Sequence, residues 1–206
     1  MGSSKFFAYL GRLKWIKRWG LMRNVEEENV MEHSWQVATI AHALAFIHNE
    51  RFGGTVDTNE VAAAALYHDV SEIITGDLPT PIKYRSKKIQ EAYKQIESEA
   101  EEELIKLLPE YLQAAYKPLL QSHQMTGLVA RFIKAADIIS AYIKCQQEIA
   151  AGNREFATAH KELDERLRGL NMPEADEFMA LFNDGYLLNL DELLNQHDRT
   201  FLKRGV

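Results

Sequence analysis

The run Ala63-Ala64-Ala65-Leu66-Tyr67-His68-Asp69-Val70-Ser71-Glu72 constrains the fold more than any other stretch. Alanine, leucine and glutamate are strong helix formers, so the composition predicts a helix here. On that helix His68 and Glu72 stand four apart, and Asp69 and Glu72 three apart. All three side chains then face one pocket. So apolar a run is buried over much of its circumference. A buried charge without a partner is costly. One divalent metal satisfies neutral imidazoles and carboxylates together. The remaining ligands must come from elsewhere in the chain.

Two other helices offer them. Residues 31–51 read as a helix whose apolar stripe is Val37, Ile40, Ala41, Leu44 and Ile47. His33 sits in its first turn. His42 is on the opposite side and His48 is about four turns away, so neither shares a metal with His33. Gly53-Gly54 breaks this helix. Asp57 or Thr58 caps the next, which is predicted to run to about residue 75. Residues 126–150 form a long helix with Leu128, Phe132, Ile133, Ala136, Ile139, Tyr142 and Ile143 on its period. Asp137 interrupts that apolar face between alanines and isoleucines, and needs a partner there. His33, His68, Asp69 and Asp137 thus give two nitrogen and two oxygen donors. Such a set suits one divalent transition ion such as Mn²⁺, Co²⁺, Fe²⁺, Ni²⁺ or Zn²⁺. Four ligands on an octahedral ion leave two positions for water or substrate oxygen, as a hydrolase requires. A second His-Asp pair, His197-Asp198, lies in a polar segment and reads as surface.

The rest of the chain reads as helices and turns. Residues 4–18 are predicted as one amphipathic helix, followed by a loop at 18–24 with Gly20 as the helix stop. By spacing alone, Arg18 is a basic residue at a helix C-terminus and Trp19 a half-buried aromatic. Gly76-Asp77-Leu78-Pro79-Thr80-Pro81 is a short stiff loop, placed to line the pocket beside the His-Asp helix. Residues 87–107 form a charged helix on which Glu97 to Glu103 make a solvated face. Further helices follow from Pro109 to Leu120 and over 154–169, 173–183 and 189–196. No alternating strand pattern is present. The fold class is all-α, a bundle of about eight helices in a single domain over 1–206.

Composition narrows the function classes. The 206 residues carry a net charge of −6, which argues against general affinity for a nucleic acid polymer. The single cysteine, Cys145, excludes an intrachain disulfide and fits a reduced, cytoplasmic compartment. The N-terminus lacks a signal-cleavage pattern, and no stretch of about 20 apolar residues predicts a membrane span.

The pattern His33…His68-Asp69…Asp137 resembles that of the HD-domain metal-dependent phosphohydrolases. More specifically, Arg18-Trp19-x-Leu-Met-Arg-Asn, Glu32-His33-Ser34, Tyr67-His68-Asp69-x-Ser71-Glu72, Gly76-Asp77-Leu78-Pro79-Thr80-Pro81 and Ala150-Ala151-Gly152-Asn153 resemble the bacterial YfbR-type 5′-deoxynucleotidases. The similarity covers roughly residues 5–160. The resemblance implies an HD-type helical domain that removes phosphate from deoxyribonucleoside 5′-monophosphates and forms a homodimer. His33, His68, Asp69 and Asp137 would hold one divalent transition ion, Co²⁺, Mn²⁺ or similar, with His33, Asp69 and Asp137 also against the substrate. Glu72 would be the acid/base residue. Arg18 would bind and orient the phosphate, and Trp19 would pack on the sugar and help reject a 2′-hydroxyl. Asp77, Leu78, Pro79 and Thr80 would contact the nucleotide. Alternatives are an HD hydrolase of nucleoside triphosphates and a metal-stabilised nucleotide-binding scaffold without turnover. A two-metal HD enzyme would need further histidines, and only His123 lies between Asp69 and Asp137.

Overall fold

A computed structural model of the chain describes residues 3–121, 125 and 127–195. His123 and the His197-Asp198 pair lie outside the described residues. The helices are α1 (Phe6–Leu10), α2 (Val30–Phe52), α3 (Thr58–Leu66), α4 (Glu72–Thr75), α5 (Thr80–Lys83), α6 (Lys87–Lys106), α7 (Glu110–Leu120), α8 (Gly127–Ala150), α9 (Ala157–Arg168) and α10 (Pro173–Phe182). A further helical stretch covers 190–195. Among the described residues there is no strand, and one isolated antiparallel bridge joins Lys17 to Asn29. The predicted all-α class is the observed one.

α2 is the central element. Its start is fixed by a reciprocal cap: Asn29 Oδ1 accepts from the Glu32 amide at 3.0 Å, and Glu32 Oε2 accepts from the Asn29 amide at 3.4 Å. It ends at Gly53, whose φ of 70° only glycine adopts without strain. α3 packs along α2 on one side and α8 on another, with α10 beyond. Val37, Ile40, Ala41 and Leu44 of α2, Ala64 and Ala65 of α3, and Ala135, Ala136 and Ile139 of α8 fill this core. The alanines let the three backbones approach closely. A second, smaller core holds Phe6, Val70, Leu104, Ile105, Leu108 and Leu120.

Two predicted helices break. The segment over 4–18 is not one helix. α1 stops at Leu10, Leu13–Trp15 form a tight 3₁₀ turn, and Ile16 is extended. The cause is a competing backbone pairing: the Arg18 amide donates to Glu28 O and the Val30 amide to Ile16 O, both at 3.0 Å. An extended chain at 16–18 is incompatible with a helix. Gly20 is not the stop; Trp19 is the residue in the left-handed region, with φ 59°.

The His-Asp helix likewise ends early, at Leu66. Residues 67–71 wind on i→i−3 bonds, such as Val70 N to Tyr67 O at 3.1 Å and Glu72 N to Asp69 O at 3.1 Å. The His68 Nδ1 atom lies 2.8 Å from Ala65 O, the carbonyl that a continuing α-helix would offer to the Asp69 amide. A side chain thus competes for a helical acceptor. α4 resumes for one turn and ends at Gly76, with φ 71° and ψ 165°. The cap of α3 is Asp57, whose Oδ1 accepts from the Asn59 and Glu60 amides. The acidic face of α6 is also not wholly solvated: Glu97 pairs with Lys83 at 2.8 Å, and Glu101 is buried.

The N-terminal segment is fastened to α8 by a buried carboxylate. Glu148 accepts from the Val25 amide at 2.9 Å, the Glu26 amide at 3.1 Å, Asn153 Nδ2 at 2.8 Å and the Lys144 ammonium. Lys144 also donates to Glu26 O. Burial pushes the Glu148 carboxyl up, but the hydrogen bonds from Lys144, the Val25 amide, Asn153 and the Glu26 amide outweigh it and hold the group at about 2. A carboxyl depressed on folding contributes stability above its ordinary value of 4.5, and that contribution is lost as pH falls toward about 2. Hydrogen exchange at Val25 and Glu26 should therefore speed up selectively in that acid window. Glu148→Ala should cost about 3–5 kcal/mol in thermal or urea melts, because it leaves the buried Lys144 without its counter-charge.

Candidate active site

The three central helices bring the predicted donors together. α2 presents His33, fully buried, from its first turn. The tight winding after α3 presents His68 and Asp69, and α8 presents Asp137. His33 Nε2 lies 3.5 Å from Asp69 Oδ2 and 3.3 Å from Asp137 Oδ1. His68 Nε2 lies 3.1 Å from Asp69 Oδ2. The His33 and His68 rings stand 5.2 Å apart. His33, His68 and Asp69 form a group able to hold a metal ion, and Asp137 joins it through His33.

The donor set passes a simple fit test. With metal–ligand bonds of about 2.1 Å, adjacent donors stand about 3.0 Å apart in an octahedron and about 3.4 Å apart in a tetrahedron. The spacings of 3.1, 3.3 and 3.5 Å lie within about 0.1 Å of the range those values bound. His33 Nε2 is buried and makes no hydrogen bond among the described residues.

Both imidazoles are oriented from behind. Ser140 Oγ donates to Gln36 Oε1 at 2.6 Å, so its lone pairs face His33 Nδ1–H at 3.1 Å. Ala65 O accepts from His68 Nδ1–H. Each ring therefore turns its Nε2 edge toward the carboxylates. Burial and the Arg18 charge push His33 down, which keeps it neutral. Burial opposes protonation of His68, but Asp69 and Asp137 outweigh it and raise the group. Burial also pushes Asp69 and Asp137 up, yet the neighbouring imidazoles hold both below the usual carboxylate range.

Glu72 is buried, and its Oε2 makes no hydrogen bond among the described residues. Burial, then the negative charges of Asp69 and Asp77, raise it well above the usual carboxylate value. Arg18 is tied to the same group of charges. Burial lowers it, but Glu28, Asp137, Asp69 and Asp77 together raise it above its ordinary value. Trp19 packs on Phe156 with ring centroids 5.3 Å apart. Asp77 is drawn in by Arg18 and by a hydrogen bond from the Trp19 backbone, although burial raises it overall. Leu78 and Pro79 follow in the same loop, but Thr80 and Pro81, predicted as part of that loop, open the short helix α5; among the described residues Leu78, Pro79 and Thr80 make no hydrogen bond to the cluster.

A family model described as 5′-deoxynucleotidase YfbR-like matches residues 5–186. The chain belongs to that family. It is 50% identical over 193 residues, 94% of this chain and 100% of the relative, to the 5′-deoxynucleotidase VV1113 of Vibrio vulnificus. Its fold is similar to that of an HD-domain phosphohydrolase from Listeria innocua, with TM-score 0.78 and 24% identity over 100% of both chains. A more distant likeness is the cyanophage S-2L HD phosphohydrolase DatZ, bound to dA and one catalytic Zn²⁺. There the TM-score is 0.56 and the identity 20%, over 98% of this chain and 99% of that one.

In this YfbR-like chain the candidate site includes supporting residues that sequence pattern alone did not single out. Gln36 and Ser140 orient His33. Glu28 holds Arg18 and Trp19, with Oε2 at 2.8 and 3.0 Å. Tyr93 of α6 donates to Gly76 O at 3.1 Å and braces the loop that carries Asp77. A polar residue on an apolar face was the available signal for Ser140, as it was for Asp137. Glu28 and Tyr93 carried none, because their partners are set by chain reversals. Ser140→Ala should weaken binding of added Co²⁺ or Mn²⁺ by about tenfold in titration calorimetry of chelator-stripped protein, since His33, a candidate ligand, loses its orienting partner.

Proposed function

We propose that the chain is a metal-dependent 5′-deoxynucleotidase that hydrolyses deoxyribonucleoside 5′-monophosphates to deoxynucleoside and phosphate. The observation that carries this reading is the convergence of His33, His68, Asp69 and Asp137 beside Arg18, with donor atoms 3.1 to 3.5 Å apart. Membership of the YfbR-like family and the names of its relatives give the substrate class.

In this reading His33, His68, Asp69 and Asp137 hold one divalent ion, Co²⁺, Mn²⁺ or similar. The catalytic zinc named for DatZ, whose fold is similar, supports a metal-dependent reading. A bound divalent ion neutralises phosphate charge and makes water more acidic. Arg18 orients the phosphate dianion, which would otherwise repel an anionic nucleophile. Water attacks phosphorus as the bond to the 5′-oxygen breaks. Glu72, kept protonated by burial and by Asp69 and Asp77, gives its proton to the departing oxygen. The proton released by the attacking water returns to Glu72. Trp19 forms a wall at the sugar, with Asp77 through Thr80 closing the nucleotide side. An aromatic wall discriminates against one hydroxyl by a few kcal/mol at most, which gives preference rather than absolute exclusion.

The reading extends to a single HD domain over 1–206, acting in the cytoplasm as a homodimer. Among the described residues no helix is long and apolar enough to cross a membrane. The exposed apolar side chains Val25, Met31 and Trp35, which line one concavity near the start of α2, support self-association.

Phosphate release from dAMP and AMP, with chelator-stripped protein and each divalent ion added back, tests the activity. Metal-dependent release that favours dAMP by about 10- to 100-fold in kcat/KM is expected. No release with any ion that binds would remove the reading. Glu72→Gln should lower kcat by about 10²- to 10⁴-fold with metal content unchanged. Arg18→Ala should lower kcat/KM for the monophosphate with metal content unchanged, and a wild-type value would remove Arg18 from the site.

A further inference from the structure

Arg18 and Trp19 belong to an irregular segment, yet recognition of phosphate and sugar needs both side chains in a fixed relation. One oxygen supplies that relation. Glu28 Oε2 accepts from Arg18 Nη1 at 2.8 Å and from Trp19 Nε1 at 3.0 Å. The Arg18 and Glu28 side chains are only 13% and 12% exposed, so water competes weakly for the pair. The guanidinium carbon sits 5.9 Å from the Trp19 ring centre, and Phe156 packs against the same indole at 5.3 Å. Arg18 has five N–H donors. With Nη1 committed to Glu28, its other nitrogens remain to meet a phosphate.

The backbone repeats the same connection. Glu28 O accepts from the Arg18 amide at 3.0 Å, beside the bridge between Lys17 and Asn29. Trp19 has φ 59°, a conformation that a bulky residue rarely adopts and that its surroundings must enforce. Glu28 grips this residue through its indole and its neighbour through both main chain and side chain. The next residue, Asn29, is the cap of α2, on which His33 is the fourth residue. Glu28 therefore joins the arginine and the tryptophan to the helix that carries a proposed metal ligand.

We infer that Glu28 is a positioning residue for nucleotide recognition: one carboxylate oxygen fixes the phosphate-binding guanidinium and the sugar-facing indole together, so that phosphate affinity and discrimination at the 2′-position are coupled. This rests on the roles proposed above for Arg18 and Trp19. Glu28 touches neither substrate nor reacting atoms. Its charge acts on Arg18, and its capacity to accept a hydrogen bond acts on Trp19. The two effects separate by substitution. Glu28→Gln keeps a carbonyl oxygen that accepts from the indole but removes the charge opposite Arg18. Glu28→Ala removes both.

The test is steady-state kinetics of the full chain on dAMP and AMP with Co²⁺ or Mn²⁺ supplied. Glu28→Ala should raise KM for dAMP by about tenfold, with kcat changed by less than about threefold, and bring the dAMP/AMP ratio of kcat/KM toward one. Glu28→Gln should raise KM for dAMP by about three- to fivefold and keep the ratio within about twofold of wild type. A merely structural role would lower activity on both substrates alike and leave the ratio fixed. An Ala variant with the wild-type ratio overturns the inference, as does a Gln variant that loses the ratio as fully as Ala. If Glu28→Ala lacks a cooperative melt, Glu28→Gln decides alone: an unchanged KM for dAMP, or a lost ratio, overturns it. A wild-type chain that releases no phosphate from dAMP fails the functional reading and this inference with it. A selective wild type with insensitive Glu28 variants fails this inference only.

Discussion

Two aspartates, Asp69 and Asp137, stand against two imidazoles where three alanine-rich helix surfaces meet. Like charges in such a place repel, and desolvation penalises each of them. The imidazoles and Arg18 offset part of that cost, which is why both carboxyls are held below their ordinary range. A divalent cation offsets it more completely, because one charge serves all four donors at once. The packing of α2, α3 and α8 is arranged around this requirement. Small side chains at Ala64, Ala65, Ala135 and Ala136 bring the backbones close enough for donors from separate helices to converge.

The orientation of each donor has its own support. His68 is set by a main-chain carbonyl, so its geometry depends on the tight winding at 67–71. His33 is set by side chains from two helices, through Ser140 and Gln36. The asymmetry has a consequence. Side-chain substitution can adjust the first-turn histidine of α2, whereas the His-Asp turn changes only if the backbone does. Around this centre the irregular segments are also pinned. Glu148 fixes residues 25 and 26 to α8, Glu28 fixes residues 18 and 19, and Tyr93 fixes the loop at Gly76. Loops that contribute to recognition need such anchors, because an unanchored loop spends binding energy on being ordered.

Local pattern made the long helices legible. The apolar period of 31–51 and 126–150 reports burial directly, and α2 and α8 follow it. The same reasoning overextended two helices. At 4–18 the apolar spacing was real, but Phe6 and Leu13 serve separate packing and Ile16 is claimed by a backbone pairing with Val30. At 66–71 the helix-forming composition was outweighed by His68 turning onto Ala65 O. Both failures have one physical origin: a competing hydrogen bond whose partner is a matter of geometry rather than propensity. Glu97 and Glu101 failed differently, since a run of like charges on α6 looks solvated until Lys83 and the inner face of that helix are in place.

The sequence by itself determined the all-α class and pointed to four candidate donors, His33, His68, Asp69 and Asp137. Histidine and aspartate on otherwise apolar faces are costly without a partner, and that cost is visible in one dimension. Tertiary structure alone decided that those four residues share one centre, that Glu72 Oε2 is buried without a hydrogen bond among the described residues, and that Glu28 grips Arg18 and Trp19 with a single oxygen. Convergence depends on how helices cross and how short segments reverse, and those are fixed by packing and long-range hydrogen bonds rather than by any local residue preference.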